Sequence, residues 1–509
     1  MSVSNFLGDL TRRWAHETPD DLAITFGELR WTWAEWDERV GRLAGAMSAG
    51  GITRGHRVGF LDKNHPACLE VVLAAARVGA AAVVLNWRLA GDELEYAMKD
   101  AQIEWMFCGG EFAAAVSADK VVVIGGGGDT YEALLDSAQP IWTQRDVDPE
   151  DLCVIMYSSG TTGRPKGVVL NQRNLVTHTR NTVDLFEFES GDINLVAMPL
   201  FHVGGTCYAL LGIAAGVHSI MTREPSAKEL FGAVAAGATH VFLVPPVIAA
   251  VLGAGQIGID AFAPLKFMGC GAAPIALTVL QNALAAWPRL RLLHGYGQTE
   301  FSGVIAALSP DAQRDPAHPE RQLSTGKPVP GAEIRVVDPD TGEDVPAGVS
   351  GEFWFRTEQQ MIGYLNRPED TAATITPDGW LRTGDIGKVD EDGYIFIEDR
   401  IKDMIITGGE NVYSPEVERV LIAHPDIADV AVFGIPDDKW GESVLAAVVL
   451  ADDAKLTADV VIAFAKEQLA TYKCPRRVEF IDSVPRSPSG KILKRALRQP
   501  YWADRDRNV

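Results

Sequence analysis

The feature that most constrains this chain is the alternation of short, wholly apolar segments with helix-like ones through its first half. Trp33–Ala49 reads as an amphipathic helix, Arg57–Leu61 as a strand, His65–Val78 as a helix and Ala80–Leu85 as an apolar strand. The pattern continues with Cys153–Tyr157 (strand), Asn171–Phe186 (helix), Asn194–Met198 (strand), Tyr208–Ala215 (helix) and Val241–Val244 (strand). Such strands, set between helices, predict largely parallel sheets covered by helices on both faces. In α/β folds of that kind, ligands sit in loops beyond the strand C-termini.

After about Gly331 the texture changes. Ala332–Val337, Ser350–Arg356 and Tyr394–Glu398 alternate as antiparallel strands do, with turns at Asp338–Thr341 and Asp390–Gly393. A dense charge cluster, Asp399–Asp403, separates these from Ser414–Ala423, Asp429–Gly434, Leu445–Leu450, Ala458–Leu469 and Arg477–Phe480, which read as a small α+β unit. With 509 residues the chain is too long for one core, so a boundary is expected near Asp399. Two domains follow, 1–398 and 399–509.

The balance of 46 basic against 68 acidic residues leaves a net charge of −22. That disfavours non-specific binding to nucleic acid or to an anionic membrane, and concentrates anion recognition in a local site. The six cysteines (Cys68, Cys108, Cys153, Cys207, Cys270 and Cys474) are scattered without a CxxC pair and read as free thiols of a reducing compartment. The N-terminus has no apolar signal core, and even Val71–Leu85 is interrupted by Arg77 and Gly79. A cytoplasmic protein is expected, without a transmembrane segment and with peripheral membrane contact left open. The glycine run Gly125–Gly128 is read as a loop and nothing more.

The chemistry enters at Tyr157–Val168. Between Ser158 and Gly167 lie three glycines, four hydroxyls and Lys166. Glycine lets backbone N–H groups approach an anion closely, hydroxyls donate to phosphate oxygens, and the lysine adds a compact charge. It is not a Walker A loop: counted from Gly160, the second glycine would fall on Pro165, and Lys166 precedes Gly167 instead of Ser or Thr. Taken alone, the loop predicts binding of an anion such as a triphosphate.

These residues resemble the signature loop of the adenylate-forming superfamily, which comprises acyl-CoA synthetases, peptide-synthetase adenylation domains and luciferases. The resemblance recurs in order along roughly 157–495. Met198–Gly205 is similar to the acyl-site motif, and Gly269–Pro274 and His294–Glu300 to the adenine and metal motifs. Ser324–Pro328 and Trp380–Asp385 follow, the latter placing Asp385 in a Thr-Gly-Asp turn. Asp399–Asp403 resembles the hinge, Gly408–Asn411 the thiol-step loop and Pro485–Lys491 the catalytic-lysine loop. The implied fold is a large N-terminal domain of β/α layered sheets with a distorted β-barrel subdomain, plus a small mobile α+β C-terminal domain.

The resemblance also implies roles. Ser158, Ser159, Gly160, Thr161, Thr162, Gly163 and Lys166 would bind ATP or AMP phosphates. Gly271, Ala272, Ala273 and the run His294, Gly295, Tyr296, Gly297, Gln298 and Thr299 would enclose the nucleotide, with Tyr296 stacked on adenine. Asp385 would hold the ribose hydroxyls, assisted by Arg400. Glu300 would hold Mg²⁺, with Thr161 as a weaker contact, because a carboxylate beside a triphosphate repels it unless it binds a cation. Phe201, His202, Val203, Gly204, Gly269 and Gly295 would line the acyl pocket, His202 as a wall or gate. Lys491 would bridge the substrate carboxylate and the α-phosphate. Asp399 and Lys402 would form the hinge, and Gly408, Gly409 and Glu410 would serve the thiol step with CoA.

An acid–CoA ligase is expected because Gln298 stands where peptide-synthetase domains more often have proline, no aspartate in Phe201–Gly205 meets an α-ammonium group, and no carrier domain follows. Fatty acid is the first expectation for substrate, an aromatic or alicyclic acid the second. A carrier-loading acyl-AMP ligase and a non-catalytic nucleotide-binding scaffold remain as alternatives. A homodimer is compatible with this reading.

Overall fold

The computed structural model describes residues 4–89, 91–126, 129–143, 147–158, 165–452, 454–486 and 492–503. Two large sheets dominate it. One has seven strands in the order 363–364, 166–171, 152–158, 81–84, 57–61, 105–109 and 120–124. Its last five are mutually parallel, and the first two join antiparallel. The other has nine strands, of which six run parallel in the order 291–298, 267–271, 240–243, 193–196, 218–221 and 22–26. Antiparallel strands close both of its edges.

The parallel sheets expected from the apolar runs are therefore present. The helix Trp33–Ala49 has the predicted limits, set by a capping box in which Thr32 and Glu35 satisfy each other's backbone N–H groups. The helix Pro66–Arg77 is buried at all twelve positions. It lies in a core shared by both sheets, which takes in Ile24, Phe60, Leu73, Val154 and Phe355. Separate cores cover the outer faces of the nine-stranded and seven-stranded sheets.

Several limits differ from expectation by a few residues, and two of the differences bear on the site. The helix expected at Tyr208 begins at Val203, directly after His202. The segment around Asp385, read as a turn, lies in a nine-residue strand, Leu381–Val389. That strand belongs to a four-stranded antiparallel sheet with Glu333–Val337, Gly351–Arg356 and Ile395–Arg400, whose two edge strands do not pair with each other among the described residues. Beyond Arg400, strands at 405–407, 410–412, 427–437, 441–450 and 477–480 pack with the helices Ser414–Leu421 and Ala458–Lys466 around a core of their own. No helix among the described residues is long and apolar enough to cross a membrane. All six cysteines are buried and unpaired.

Candidate active site

The strands Leu152–Ser158, Phe267–Gly271 and Arg291–Gln298 end at the three segments singled out for nucleotide binding. Ser159, Gly160, Thr161, Thr162 and Gly163 lie outside the described residues, as does Lys491. At the base of the loop, Ser158 pairs with Lys166 across an antiparallel hairpin. Lys166 Nζ donates to Asp370 at 2.6 Å and sits 5.0 Å over the Tyr364 ring. The Tyr364 hydroxyl donates to Glu300 at 2.8 Å. The lysine and the glutamate assigned to phosphate and metal thus meet on one tyrosine. Tyr364 and Asp370 carry no motif, and sequence reasoning missed both.

Asp385 is 3% exposed. It accepts hydrogen bonds from the Tyr296 hydroxyl at 2.6 Å and from Gln298 Nε2 at 2.9 Å. Its other oxygen lies 3.1 Å from Arg400 Nε. Asp385 and Arg400 are register partners on neighbouring strands, which brings cation and carboxylate together. The carboxylate holds the Arg400 guanidinium above its ordinary value. Burial, reinforced by Asp385, pushes the Tyr296 phenol well up, so this hydroxyl donates and does not ionise. Tyr296 was expected to stack on a base; its ring is 9% exposed, lies 6.3 Å from Phe355 and is oriented by its bond to Asp385. Thr299 and Glu300 follow in a short 3₁₀ turn. His294 is buried and kept neutral, its pKa lowered to about 4 by burial.

After Gly271 the chain passes through Ala272 at φ +66°, a conformation few non-glycine residues adopt. It turns the Ala272–Ala273 segment away from the strand axis. A Cβ on Gly271 would stand 2.6 Å from the Gly295 carbonyl, and one on Gly297 would stand 1.8 Å from that of Gly303. These two glycines are required for strand-to-strand contact.

Of the residues expected to line the acyl pocket, Phe201, His202, Val203, Gly204 and Gly269 lie around the start of the helix Val203–Ala215, and Gly295 lies against Val304. Phe201 and His202 pack at 4.3 Å, and Val203 and Gly204 form the first turn. A Cβ on Gly204 would lie 3.6 Å from the Phe242 ring, and one on Gly269 would lie 2.5 Å from Phe242 and 2.8 Å from Phe186. Tyr208, one helical turn beyond Gly204, packs 5.3 Å from Phe186 and 5.7 Å from Phe242. Phe186, Tyr208 and Phe242 were not singled out in the sequence, where aromatic residues in apolar runs carry no signal beyond burial.

Asp399 is 5% exposed and accepts from the Ser414 N–H at 2.7 Å and the Ser414 hydroxyl at 2.6 Å. Lys494 donates to that hydroxyl at 2.5 Å and lies 2.9 Å from Glu418. Burial raises Asp399 and Glu418. Burial would lower Lys494, but Glu418 and Asp399 outweigh it and hold the ammonium up. Ser414, Glu418 and Lys494 were all missed. Lys402 is pulled down to about 8 by burial and by Arg400. Gly408 and Gly409, at φ +63° and +85°, form the two-residue turn between paired strands ending at Thr407 and starting at Glu410.

Among the described residues, no group of three or more His, Cys, Asp or Glu side chains could hold a metal. Glu300 is a single carboxylate that accepts from the tyrosine over which Lys166 sits. That donor set fits Mg²⁺ arriving on nucleotide phosphates, since this ion keeps most of its shell from phosphates and water.

A family model described as AMP-binding enzyme matches residues 11–365, and one described as AMP-binding enzyme C-terminal domain matches residues 416–491. The chain is 36% identical over 506 residues to the fatty acid–[acyl-carrier-protein] ligase ScoC of Streptomyces coeruleorubidus, covering 97% of this chain and 96% of that protein. It is equally 36% identical to a feruloyl-CoA synthase of Amycolatopsis over 502 residues, covering 97% and 99%. Among solved structures, ATP-bound MatB from Rhodopseudomonas palustris superposes with a TM-score of 0.89 at 30% identity, covering 98% of this chain and 99% of that one.

Proposed function

The chain belongs to the family of AMP-binding enzymes, and from that membership we propose that it is an ATP-dependent carboxylic acid–CoA ligase. The observation that carries the reading is the buried Asp385, gripped by Tyr296, Gln298 and Arg400 beside the Lys166–Tyr364–Glu300 chain. A carboxylate so oriented is built to accept two hydroxyl hydrogen bonds, as a ribose offers. The adjacent cation and single carboxylate suit a triphosphate and its ion.

In the first step the substrate carboxylate attacks the α-phosphorus of ATP, and pyrophosphate leaves toward the loop 158–166. Both reactants are anions, so the protein must neutralise charge and align them. Lys166 supplies one positive charge, and Lys491 supplies another between carboxylate and α-phosphate. Glu300, assisted by Thr161, would hold Mg²⁺, whose charge would screen the phosphates. In the second step the CoA thiol attacks the acyl carbon and AMP leaves. The C-terminal domain, 399–509, turns about Asp399 and Lys402 to exchange Lys491 for the turn Gly408–Glu410 at the reacting centre.

For the acid, the ring-bearing class ranks ahead of the long fatty chain. Phe242 and Phe186 fill the space beside Gly269, and Tyr208 packs on both rings, which favours a flat ring over a long chain at that glycine. A carboxylate-dependent exchange of labelled pyrophosphate into ATP, followed by thioester formation on adding CoA, is the expected activity. An absence of exchange across a broad acid panel would defeat the ligase reading. Exchange without a CoA thioester would move the assignment to carrier-protein loading.

A further inference from the structure

We infer that Asp370 is a positioning residue for the departure of pyrophosphate, acting through Lys166. Its carboxylate competes with phosphate oxygens for that ammonium, which eases release of the leaving group while weakening the hold on ATP. The inference rests on the ligase reading and deepens it.

Lys166 opens the strand that leaves the phosphate loop, and its side chain is 16% exposed. Among the described residues its ammonium donates to one carboxylate, Asp370 Oδ1 at 2.6 Å, while lying over the face of Tyr364. Asp370 is no loose surface acid. It stands in the first turn of the short helix Pro368–Thr374, and Arg367 lies 3.8 Å from its other oxygen. The chain just before that helix is stapled to the base of the loop. Gly363 and Tyr364 pair with Val169 and Val168, and the Leu365 N–H donates to the Gly167 carbonyl at 2.8 Å. Asn366 Nδ2 donates to Asp100 Oδ1 at 3.2 Å, and Asp100 also accepts from the Tyr157 hydroxyl at 2.8 Å. Tyr157 belongs to the strand that enters the loop. Both strands flanking the loop therefore fix where Asp370 stands.

Charge gives the consequence. Two carboxylates flank Tyr364: Glu300 on its hydroxyl, and Asp370 through the lysine on its ring. Glu300 has a use in holding the cation that accompanies nucleotide phosphates. The ion pairs of Asp370 among the described residues are with Lys166 and Arg367. A site that needed only a tight grip on phosphate would gain nothing from a carboxylate on the loop's own lysine. A tight grip has a drawback, because a cation that holds substrate and product alike adds nothing to the rate of the chemical step, and it retards release of the product. Pairing with Asp370 lowers the pull of Lys166 on both, and gives the ammonium a partner as pyrophosphate leaves. A lysine carries three donors on a flexible stem, so it can pass from phosphate to carboxylate without moving the backbone.

Calorimetric titration of the full chain with MgATP and with magnesium pyrophosphate reads both affinities without turnover. Asp370→Asn is expected to tighten both by about fivefold, the scale of one part-buried ion pair. Asp370→Glu keeps the charge, and its affinities are expected to stay close to those of the unaltered protein. In a Lys166→Met background, Asp370→Asn is expected to change neither, because the effect runs through that ammonium. In turnover, Asp370→Asn should show a lower KM for ATP and stronger inhibition by pyrophosphate, and added inorganic pyrophosphatase should restore its rate of thioester formation. Weaker or unchanged binding of both ligands in Asp370→Asn would overturn the inference, whatever the thermal midpoint. Tightening that persists in the Lys166→Met background would overturn it as well. Absence of exchange with any acid would defeat the ligase reading, and the two titrations would still judge Asp370.

Discussion

At the scale of single residues, Asp385 is held by three donors from two strands, and each can be removed separately. Tyr296→Phe deletes one hydrogen bond to a buried carboxylate, a loss of about 1–3 kcal/mol. We predict a rise in KM for ATP of about tenfold, with exchange at saturating ATP changed little, read from initial rates over a nucleotide series. A change confined to the maximal rate would remove Tyr296 from ATP binding. The same scale shows what local sequence can carry. Glu300, Asp385 and Arg400 stood out because each sits in a motif of distinctive composition. Asp385 was misplaced in a turn because Thr-Gly-Asp has turn chemistry, and Gly384 does adopt φ +70°. Tertiary pairing nevertheless runs a strand through it. Tyr364 and Asp370 were illegible because their significance comes from Lys166, about two hundred residues earlier in the chain.

Among the elements, the Asp399 cluster ties the end of the strand Ile395–Arg400 to the helix Ser414–Leu421 and to Lys494. Removing one partner from a buried ion pair leaves its counterion uncompensated, at about 3–5 kcal/mol. Lys494→Met should therefore lower the thermal midpoint by several degrees, and Lys494→Arg should restore part of it. Lys494 also lies three residues after Lys491. We predict that Lys494→Met slows pyrophosphate exchange at least tenfold while CoA thioester formation from a supplied acyl-adenylate falls less. Equal losses in both half-reactions would reduce the cluster to a structural role. Element limits were legible where local chemistry decides them, as in Trp33–Ala49 with its capping box, or Arg57–Leu61 with its apolar run. They failed at Val203, because the glycines in the first turn of that helix mimic a loop.

For the molecule as a whole, buried neutral histidines set the acid limit. Burial lowers His178 to about 3 and His294 to about 4. Both stay neutral in the fold and are protonated in the unfolded chain below about pH 6.5. Their stabilisation is complete above that pH and is lost as pH falls through 6.5 toward the folded values. At pH 5 this amounts to about 2 kcal/mol per histidine. His178 Nε2 accepts from the Val304 N–H at 3.1 Å, so His178→Gln retains an acceptor without the titration. We predict that the fall in thermal midpoint between pH 7 and pH 5 is smaller in this variant, by a few degrees. An identical fall would place the acid sensitivity elsewhere. The parallel character of the sheets was legible from their apolar strands, but strand order was not. The strand 22–26 pairs with 218–221, a partnership fixed by packing across the shared core and not by neighbouring sequence. The six buried thiols bear on how motion can be watched. Burial raises them all, with Cys108 pushed up to about 11, so fluorophore-bearing maleimides should react with them slowly in the folded protein. A cysteine introduced on each side of Asp399 would then take the dyes first, and the proposed swing of the small domain could be followed by energy transfer in a protein that keeps every native thiol.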